Sequence, residues 1–163
     1  MSVATAMIHI LGARGDVGDP EEVLDILRSL GQGVPIDPDM VVGRDHLESA
    51  AEHALRAFER GTNTASSLGM ETLMYASGER QISRATEKMG VKGHSQGMAL
   101  VLFDLDPEKA LEALGMERDY SLLEGDLEKL RRHGIGEEEI LAAGDLALDL
   151  VLERVAFVEM TKR

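Results

Sequence analysis

The sequence predicts an α+β fold in which a small sheet of about four to five strands is covered by several helices. Several segments repeat apolar residues with the helical period and are bounded by capping residues and glycines. A few shorter segments are continuously apolar and β-branched, as buried strands are. The 163 residues contain no linker, low-complexity tract or internal repeat, so residues 1–163 are predicted to form one domain.

The chain is predicted to begin with a strand and a helix. Thr5 to Leu11 is apolar and β-branched and forms the first predicted strand, followed by a loop from Gly12 to Gly18. A helix begins at Asp19-Pro20-Glu21-Glu22, which combines a cap, a proline at the first position and a capping-box glutamate, and it ends near Gly31. A short strand is predicted near Met40 to Val42.

A long helix and a broken helix are predicted next. Asp45 and Glu48 form a cap pattern at the start of the long helix, and Gly61 ends it. A second helical segment, from about Ser67 to Met89, is broken at Ser77-Gly78 and restarts at once, with Ser77 as the predicted N-cap of the second part.

The second half of the chain is predicted to add two strands and further helices. Gly97 to Asp104 is a strongly apolar strand, and a capped helix runs from Asp106 to Gly115. The remaining helical segments are Asp126 to His133, Glu137 to Ala142 and Asp145 to about Arg154. The apolar end, Val155 to Thr161, is predicted to be the last strand.

Composition excludes several classes of function. The formal net charge is -13, from 17 Lys and Arg against 30 Asp and Glu, so nucleic acid is repelled at long range and any RNA contact must be local and salt-sensitive. The absence of cysteine excludes disulfides, thiolate metal sites and cysteine nucleophiles, and is compatible with the cytoplasm that we predict as the location. The longest apolar runs are too short to span a bilayer, so no membrane partner is expected.

Two motifs that could carry chemistry do not match the spacing that the chemistry requires. Gly12, Gly15 and Gly18 lie between a strand and a helix, but they match neither a dinucleotide fingerprint nor a phosphate-binding loop, so a plain turn is favoured. His46 and His53 lie on one helix face without a metal-binding pattern, and all the histidines are predicted to face solvent or to cap helices. No catalytic residue, metal or cofactor is predicted, and the chain is not expected to be an enzyme.

The broken helix is the strongest candidate site. Arg80, Arg84 and Lys88 follow at intervals of four residues, which would stack three cations on one face of the second helix, and Lys92 extends the row. The opposite face, with Ile82, is predicted to be buried. A helix N-terminus beside guanidinium groups suits a phosphate, whereas the alternative is a solvated face that pairs with acids such as Glu87.

At these residues the sequence resembles the family of the small kinase-binding regulatory subunit of the KEOPS/EKC complex, the PRPK-binding protein or TPRKB family. The resemblance rests on the following motifs: Met70-Glu71, the segment Ala76-Ser77-Gly78-Glu79-Arg80-Gln81-Ile82, Ala85, Gly90, the Gly12 to Gly15 turn, Met40-Val41-Val42 leading into Asp45-His46-Leu47, and Leu152 to Ala156 running into Glu159. It covers nearly the whole chain, and the Ser-Gly-x-Arg-Gln-Ile element is its most specific part.

The resemblance implies a non-catalytic regulator. Such a subunit binds the small atypical kinase/ATPase of KEOPS directly and the threonylcarbamoyl-transferase subunit indirectly, and it captures the 3′ CCA end of tRNA during N6-threonylcarbamoyladenosine formation. The residues that would line or border the CCA pocket are Ser77, Gly78, Arg80, Gln81 and Ile82. Ile82 would then be exposed rather than buried. From the row of cations we also expect Arg84, Lys88 and Lys92 to contact the phosphates upstream of the CCA end.

Two other functions remain open from the sequence. The chain could be a protein-interaction module of the kinase without RNA contact, in which the cations dock on an acidic protein surface. An apolar helix face is the expected kinase interface, although the sequence does not assign it to one helix. A small-ligand or nucleotide-binding enzyme built on the Gly12 to Gly18 turn is the third and weaker alternative.

Overall fold

The computed structural model describes residues 6–162 and confirms the predicted α+β class. Within this range the sheet has four antiparallel strands in the order β2-β3-β1-β4. The strands are β1 (Ile8–Arg14), β2 (Gln32–Ile36), β3 (Gly97–Phe103) and β4 (Glu117–Arg118). Thr5 of the predicted first strand lies outside the described residues.

The helices account for most of the described chain. They are α1 (Pro20–Leu30), α2 (Arg44–Arg60), α3 (Leu68–Ser77), α4 (Ile82–Met89), α5 (Pro107–Leu114), α6 (Leu127–Arg132), α7 (Glu137–Ala143) and α8 (Leu150–Thr161). Short 3-10 segments lie at Pro38–Met40, Tyr120–Leu123 and Gly144–Asp149. The predicted ends of α1 and α5 are confirmed: Asp19 and Asp106 cap their N-termini, and a glycine follows each.

Strand β3 organises the core because both of its faces are buried. All seven of its residues are buried, and alternate side chains enter two different apolar clusters. Val101 and Phe103 pack with residues of α2, α3 and α4, whereas Leu100 and Leu102 pack with residues of α1 and α5. A third cluster joins α6, α7, the Gly144–Asp149 segment and the start of α8. The sheet therefore lies between two helical layers, and α8 lies on the α2–α3 side.

The first two predicted strands need correction. Strand β1 continues through Gly12 to Arg14, so the predicted Gly12 to Gly18 loop is wrong over its first three residues. A Cβ atom at Gly12 would lie 2.0 Å from the Asp119 carbonyl oxygen, so glycine serves close packing there. The predicted strand near Met40 to Val42 is also wrong, because Met40 ends a 3-10 turn and the second strand is Gln32–Ile36.

Two predictions at helix starts and ends are also wrong. Asp45 does not cap α2: the N-cap is Gly43, which forms no side-chain hydrogen bond, and Asp45 lies in the first turn. The last predicted strand, Val155 to Thr161, is the C-terminal part of α8. Val151, Val155 and Val158 form its buried face with helical spacing, while apolar residues also occupy the outer face and obscure that period in the sequence.

Candidate functional site

The break between α3 and α4 is longer than the sequence predicted. Helix α3 ends at Ser77, Gly78 takes the left-handed conformation with φ 74°, and α4 begins only at Ile82. The Ser77 hydroxyl donates to the Met74 carbonyl (2.9 Å) and accepts from the Glu79 N–H (3.2 Å). Ser77 is therefore not the N-cap of α4. That position is held by Gln81, which makes no capping hydrogen bond, so the first N–H groups of α4 have no side-chain cap.

The predicted row of three cations on one helix face does not exist. Arg80 precedes α4, while Arg84 and Lys88 lie within it. The Lys88 ammonium donates to the Ser77 carbonyl over 2.7 Å, and burial lowers the pKa of Lys88. Lys92 donates to the carbonyls of Glu87 and Gly90. Both lysines thus stabilise helix C-termini, where cations complement free carbonyl groups.

The remaining cations line a shallow pocket of about 270 Å³ beside the break. Its lining residues are Glu79, Arg80, Gln81, Arg84, Thr161 and Lys162. The Arg80 guanidinium donates to the Thr161 carbonyl at the end of α8 (3.3 Å). The exposed side chain of Arg84 makes no hydrogen bond or ion pair with any residue between 6 and 162. The pocket therefore offers guanidinium groups to a ligand between the α3–α4 turn and the end of α8.

An apolar side chain borders the uncapped start of α4. Ile82 is 37% exposed, which corrects its predicted burial and agrees with what the family resemblance implies. Ala85 and Met89 of the same helix are fully buried. Tyr75, the aromatic residue nearest to Ile82 in the sequence, is buried and stacks on His53 with ring centroids 5.1 Å apart. Ile82 is thus the apolar surface that α4 can offer to a ligand.

Glu71, from the Met70-Glu71 motif, holds the framework of the site together. Its fully buried carboxylate accepts from the Thr64 N–H (3.0 Å) and the Ala65 N–H (2.8 Å) and pairs with the Lys162 ammonium. Lys162 also donates to the Tyr75 hydroxyl (3.1 Å). One carboxylate in α3 therefore fixes both the preceding loop and the end of α8, which forms one wall of the pocket.

The histidines were predicted to face solvent or to cap helices, and for His46 and His133 the first alternative is wrong because both are buried. His133 is the C-cap residue of α6, in agreement with the second alternative. His46 Nδ1 accepts from the Val42 N–H (3.0 Å), which requires Nε2 to carry the proton that it donates to the Ala76 carbonyl (2.7 Å). His46 thus caps the chain entering α2, as the alternative prediction allowed, and connects it to the end of α3. His133 donates through Nε2 to the Met40 carbonyl (2.7 Å).

Residues 6–162 contain no group of three or more His, Cys, Asp or Glu side chains placed to hold a metal ion. Over the same range, every helix is too short or too polar to cross a bilayer.

Comparison with known proteins identifies the family. The family model of kinase binding protein CGI-121 matches residues 16–156. The chain belongs to the CGI-121 family. This match confirms the resemblance to the family of kinase-binding subunits and covers α1 to most of α8. A search of curated protein sequences gave no match.

The predicted site residues of this CGI-121 family member fall into two groups. Arg80, Gln81 and Arg84 line the pocket, and Gly78 and Ile82 are exposed beside it. Ser77 is buried behind the turn, and Lys88 holds its carbonyl. Thr161 and Lys162 were missed, because Thr161 was predicted to end a strand, Lys162 followed it outside any predicted element, and nothing in the sequence relates them to residues about 80 positions earlier.

Proposed function

We propose that this chain is the non-catalytic regulatory subunit that binds the small kinase/ATPase of a KEOPS complex and captures the 3′ CCA end of tRNA. In this role it supports N6-threonylcarbamoyladenosine formation in the cytoplasm, with the transferase subunit contacted only through the kinase. Membership in a family of kinase-binding proteins supports the kinase-binding part. The cationic pocket at the α3–α4 break supports the tRNA part.

The single observation that carries the tRNA proposal is the position of the free Arg84 guanidinium at an uncapped helix start. Arg84 has no partner among residues 6–162, and α4 begins without a side-chain cap. The N–H groups of a helix N-terminus and the guanidinium group of an arginine both bind phosphate oxygens. In an acidic protein this attraction is confined to the site itself. Ile82, exposed at the first position of α4, gives an apolar contact for a base of the single-stranded end.

The residues of the Ser77–Ile82 element then have separate roles. Arg80, Gln81 and Arg84 contact the RNA. Gly78 adopts the left-handed conformation that lets the chain turn after α3, which a residue with a side chain rarely adopts. Ser77 and Lys88 position the turn: the hydroxyl holds the Glu79 N–H, and the ammonium holds the Ser77 carbonyl. A pocket bounded by Thr161 and Lys162 also makes capture depend on the position of α8.

Binding of tRNA with and without its CCA end tests this proposal. We expect the protein to bind intact tRNA at low salt and to lose most of that affinity when CCA is removed. Arg84→Glu should weaken capture by about tenfold, because it removes a phosphate contact and adds a repulsive charge. Fluorescence anisotropy with labelled tRNA measures both effects.

The matched control is Lys109→Glu, which makes the same change of charge on α5, across the sheet from the pocket. The Lys109→Glu variant should bind tRNA with the affinity of the unaltered protein. The free energy of unfolding of both variants should differ from that of the unaltered protein by no more than about 0.5 kcal/mol, because both positions are exposed. Equal affinity for tRNA with and without CCA would contradict the capture proposal. No binding to either tRNA would leave a kinase-interaction module without RNA contact as the function.

A further inference from the structure

Two of the family motifs lie away from the tRNA pocket. They are Met40-Val41-Val42 and Asp45-His46-Leu47, and none of their residues lines the pocket. His46, in the second motif, is fully buried. A buried imidazole needs a hydrogen-bond partner for each ring nitrogen, so the bonds of His46 indicate what these motifs hold in place.

The last four carbonyl groups of α3 lie directly before the pocket. Carbonyls at a helix C-terminus have no donor within the helix, and they carry the negative end of its dipole. Two of the four are satisfied locally. The Ser77 hydroxyl donates to the Met74 carbonyl (2.9 Å), and the Gly78 N–H donates to the next carbonyl, of Tyr75 (3.2 Å). The last two carbonyls need donors from outside the helix.

Side chains from the two neighbouring helices supply these donors. His46 Nε2 in α2 donates to the Ala76 carbonyl over 2.7 Å. Lys88 Nζ in α4 donates to the Ser77 carbonyl over 2.7 Å. With both in place, none of the four carbonyls is left to repel a phosphate in the pocket. The end of α3 is therefore closed, whereas the start of α4 keeps uncapped N–H groups for a ligand.

The surroundings of His46 fix the direction of its hydrogen bond. Nδ1 accepts from the Val42 N–H (3.0 Å), which places the proton on Nε2. His133 packs edge to face against the ring, with centroids 5.1 Å apart, and donates to the Met40 carbonyl (2.7 Å). The segment from Met40 to Val42 is thus bonded to both rings and keeps the His46 imidazole directed at Ala76.

We propose that His46 is a positioning residue for tRNA capture. Its bond to the Ala76 carbonyl fixes the last turn of α3 and thereby sets how the following turn presents Arg80 and Gln81. This inference rests on the proposed capture of the CCA end. His46 is fully buried, so it acts through the backbone and does not touch the RNA. The two motifs then hold the site in position and do not contact the ligand.

A matched pair of substitutions at His46 separates positioning from a general loss of structure. The amide oxygen of His46→Asn can replace Nδ1 as the acceptor for the Val42 N–H, but this side chain is too short to reach the Ala76 carbonyl. The longer side chain of His46→Gln can still donate to the Ala76 carbonyl and loses the bond to Val42. Each variant leaves one buried polar group unpaired, so both should be less stable than the unaltered protein.

Of the two variants, only His46→Asn should bind tRNA more weakly. Its affinity for intact tRNA should fall by about tenfold, because a turn that is no longer fixed must be ordered on binding. The His46→Gln variant should keep the affinity of the unaltered protein. Anisotropy titrations measure both, at a temperature where circular dichroism shows all three proteins folded. The salt dependence of His46→Asn should be unchanged, because no phosphate contact is removed.

The outcomes separate this inference from the proposed function. If the unaltered protein binds tRNA equally with and without CCA, the proposed capture fails and the role of His46 fails with it. If capture depends on CCA and His46→Asn binds as tightly as the unaltered protein, only the positioning role is overturned. It is also overturned if His46→Gln loses as much affinity as His46→Asn, or if His46→Asn has a smaller salt dependence.

A second measurement does not depend on how the variants fold. In the unaltered protein, isotope-labelled at histidine, the Nε2 resonance of His46 should shift when single-stranded RNA ending in CCA is added. The reason is that an anion bound after α3 polarises the Ala76 carbonyl, which accepts from this nitrogen. His94, in an exposed loop, is the internal control. An unchanged His46 resonance on RNA that is bound would overturn the positioning role.

Discussion

His46 and His133 illustrate how much depends on single buried side chains. Their rings lie edge to face with centroids 5.1 Å apart, and both donate from Nε2 to backbone carbonyls. Burial, together with the charge that His133 would carry, lowers the pKa of His46 to about 3. Burial also lowers the pKa of His133 to about 4, with Lys88 and Arg154 adding positive charge nearby. Both rings are therefore neutral in the folded protein at neutral pH.

The protein should lose stability as the pH falls below about 6.5. The unfolded chain then gains a proton at each histidine, whereas the folded chain does not until about pH 4 for His133 and about pH 3 for His46. Each histidine should lower the free energy of unfolding by about 1.4 kcal/mol per pH unit within its window. Above pH 6.5 this contribution to the pH dependence vanishes.

Urea unfolding at several pH values between 4.5 and 7 measures this effect. His133→Gln keeps a donor for the Met40 carbonyl and removes the titrating group, so its slope against pH should be smaller than that of the unaltered protein by about 1.4 kcal/mol per pH unit. His94→Gln, in an exposed loop, is the control and should keep the original slope. If the free energy of unfolding had the same slope against pH in all three proteins, His133 would take up protons equally in the folded and the unfolded state.

At the scale of elements, Glu71 joins α3 to the loop before it and to the end of α8. Its side chain is fully buried, and that of Lys162 is 7% exposed. Removing one partner of a buried ion pair leaves the other charge without compensation, which costs about 3 to 5 kcal/mol. Glu71→Ala should therefore be strongly destabilising. Glu71→Gln should cost less, because an amide oxygen can still accept from the Thr64 and Ala65 N–H groups.

Denaturant unfolding of Glu71→Gln, Lys162→Met and the double variant with both changes measures the coupling. We expect an interaction energy above about 0.5 kcal/mol, because the two groups are in contact. Glu52→Ala, an exposed glutamate on α2, is the control and should change stability little. A Glu71→Ala variant as stable as Glu52→Ala would show that this pair does not hold α8.

The elements that the sequence did not predict share a physical cause. Strand β2 contains Gly33 and Pro35, residues that disfavour strands, and it forms because it lies at the sheet edge against β3. The end of α8 is apolar on both faces, so a strand and a helix are equally compatible with its sequence. In both segments, packing against other elements decides the conformation, and neighbouring residues in the sequence carry no sign of that packing.

At the scale of the whole molecule, charge is distributed unevenly. The net charge is -13, yet Arg80 and Arg84 line one pocket. Such a molecule can bind a polyanion only through a few local contacts.

The salt dependence of tRNA binding should therefore be weak for the isolated chain. In a plot of the logarithm of the binding constant against the logarithm of the salt concentration, each contact with a phosphate of single-stranded nucleic acid adds about -0.7 to the slope. Two contacts, from Arg80 and Arg84, therefore predict a slope of about -1.4. Arg84→Ala should reduce the slope to about -0.7. Anisotropy titrations across a range of KCl concentrations measure both slopes, and an unchanged slope would place Arg84 away from the phosphates.

The sequence by itself determined the α+β class, the capped helices α1 and α5, the buried strand β3 and the family motif at residues 76–82. These depend on local chemistry: proline and aspartate at helix starts, glycine at helix ends, and a continuous apolar run. Only the tertiary structure decided that Lys88 holds the Ser77 carbonyl and that Thr161 and Lys162 complete the pocket. Those contacts join residues up to about 80 positions apart. The sequence offers many equivalent partners for each polar group, and burial in the folded protein decides which of them pair.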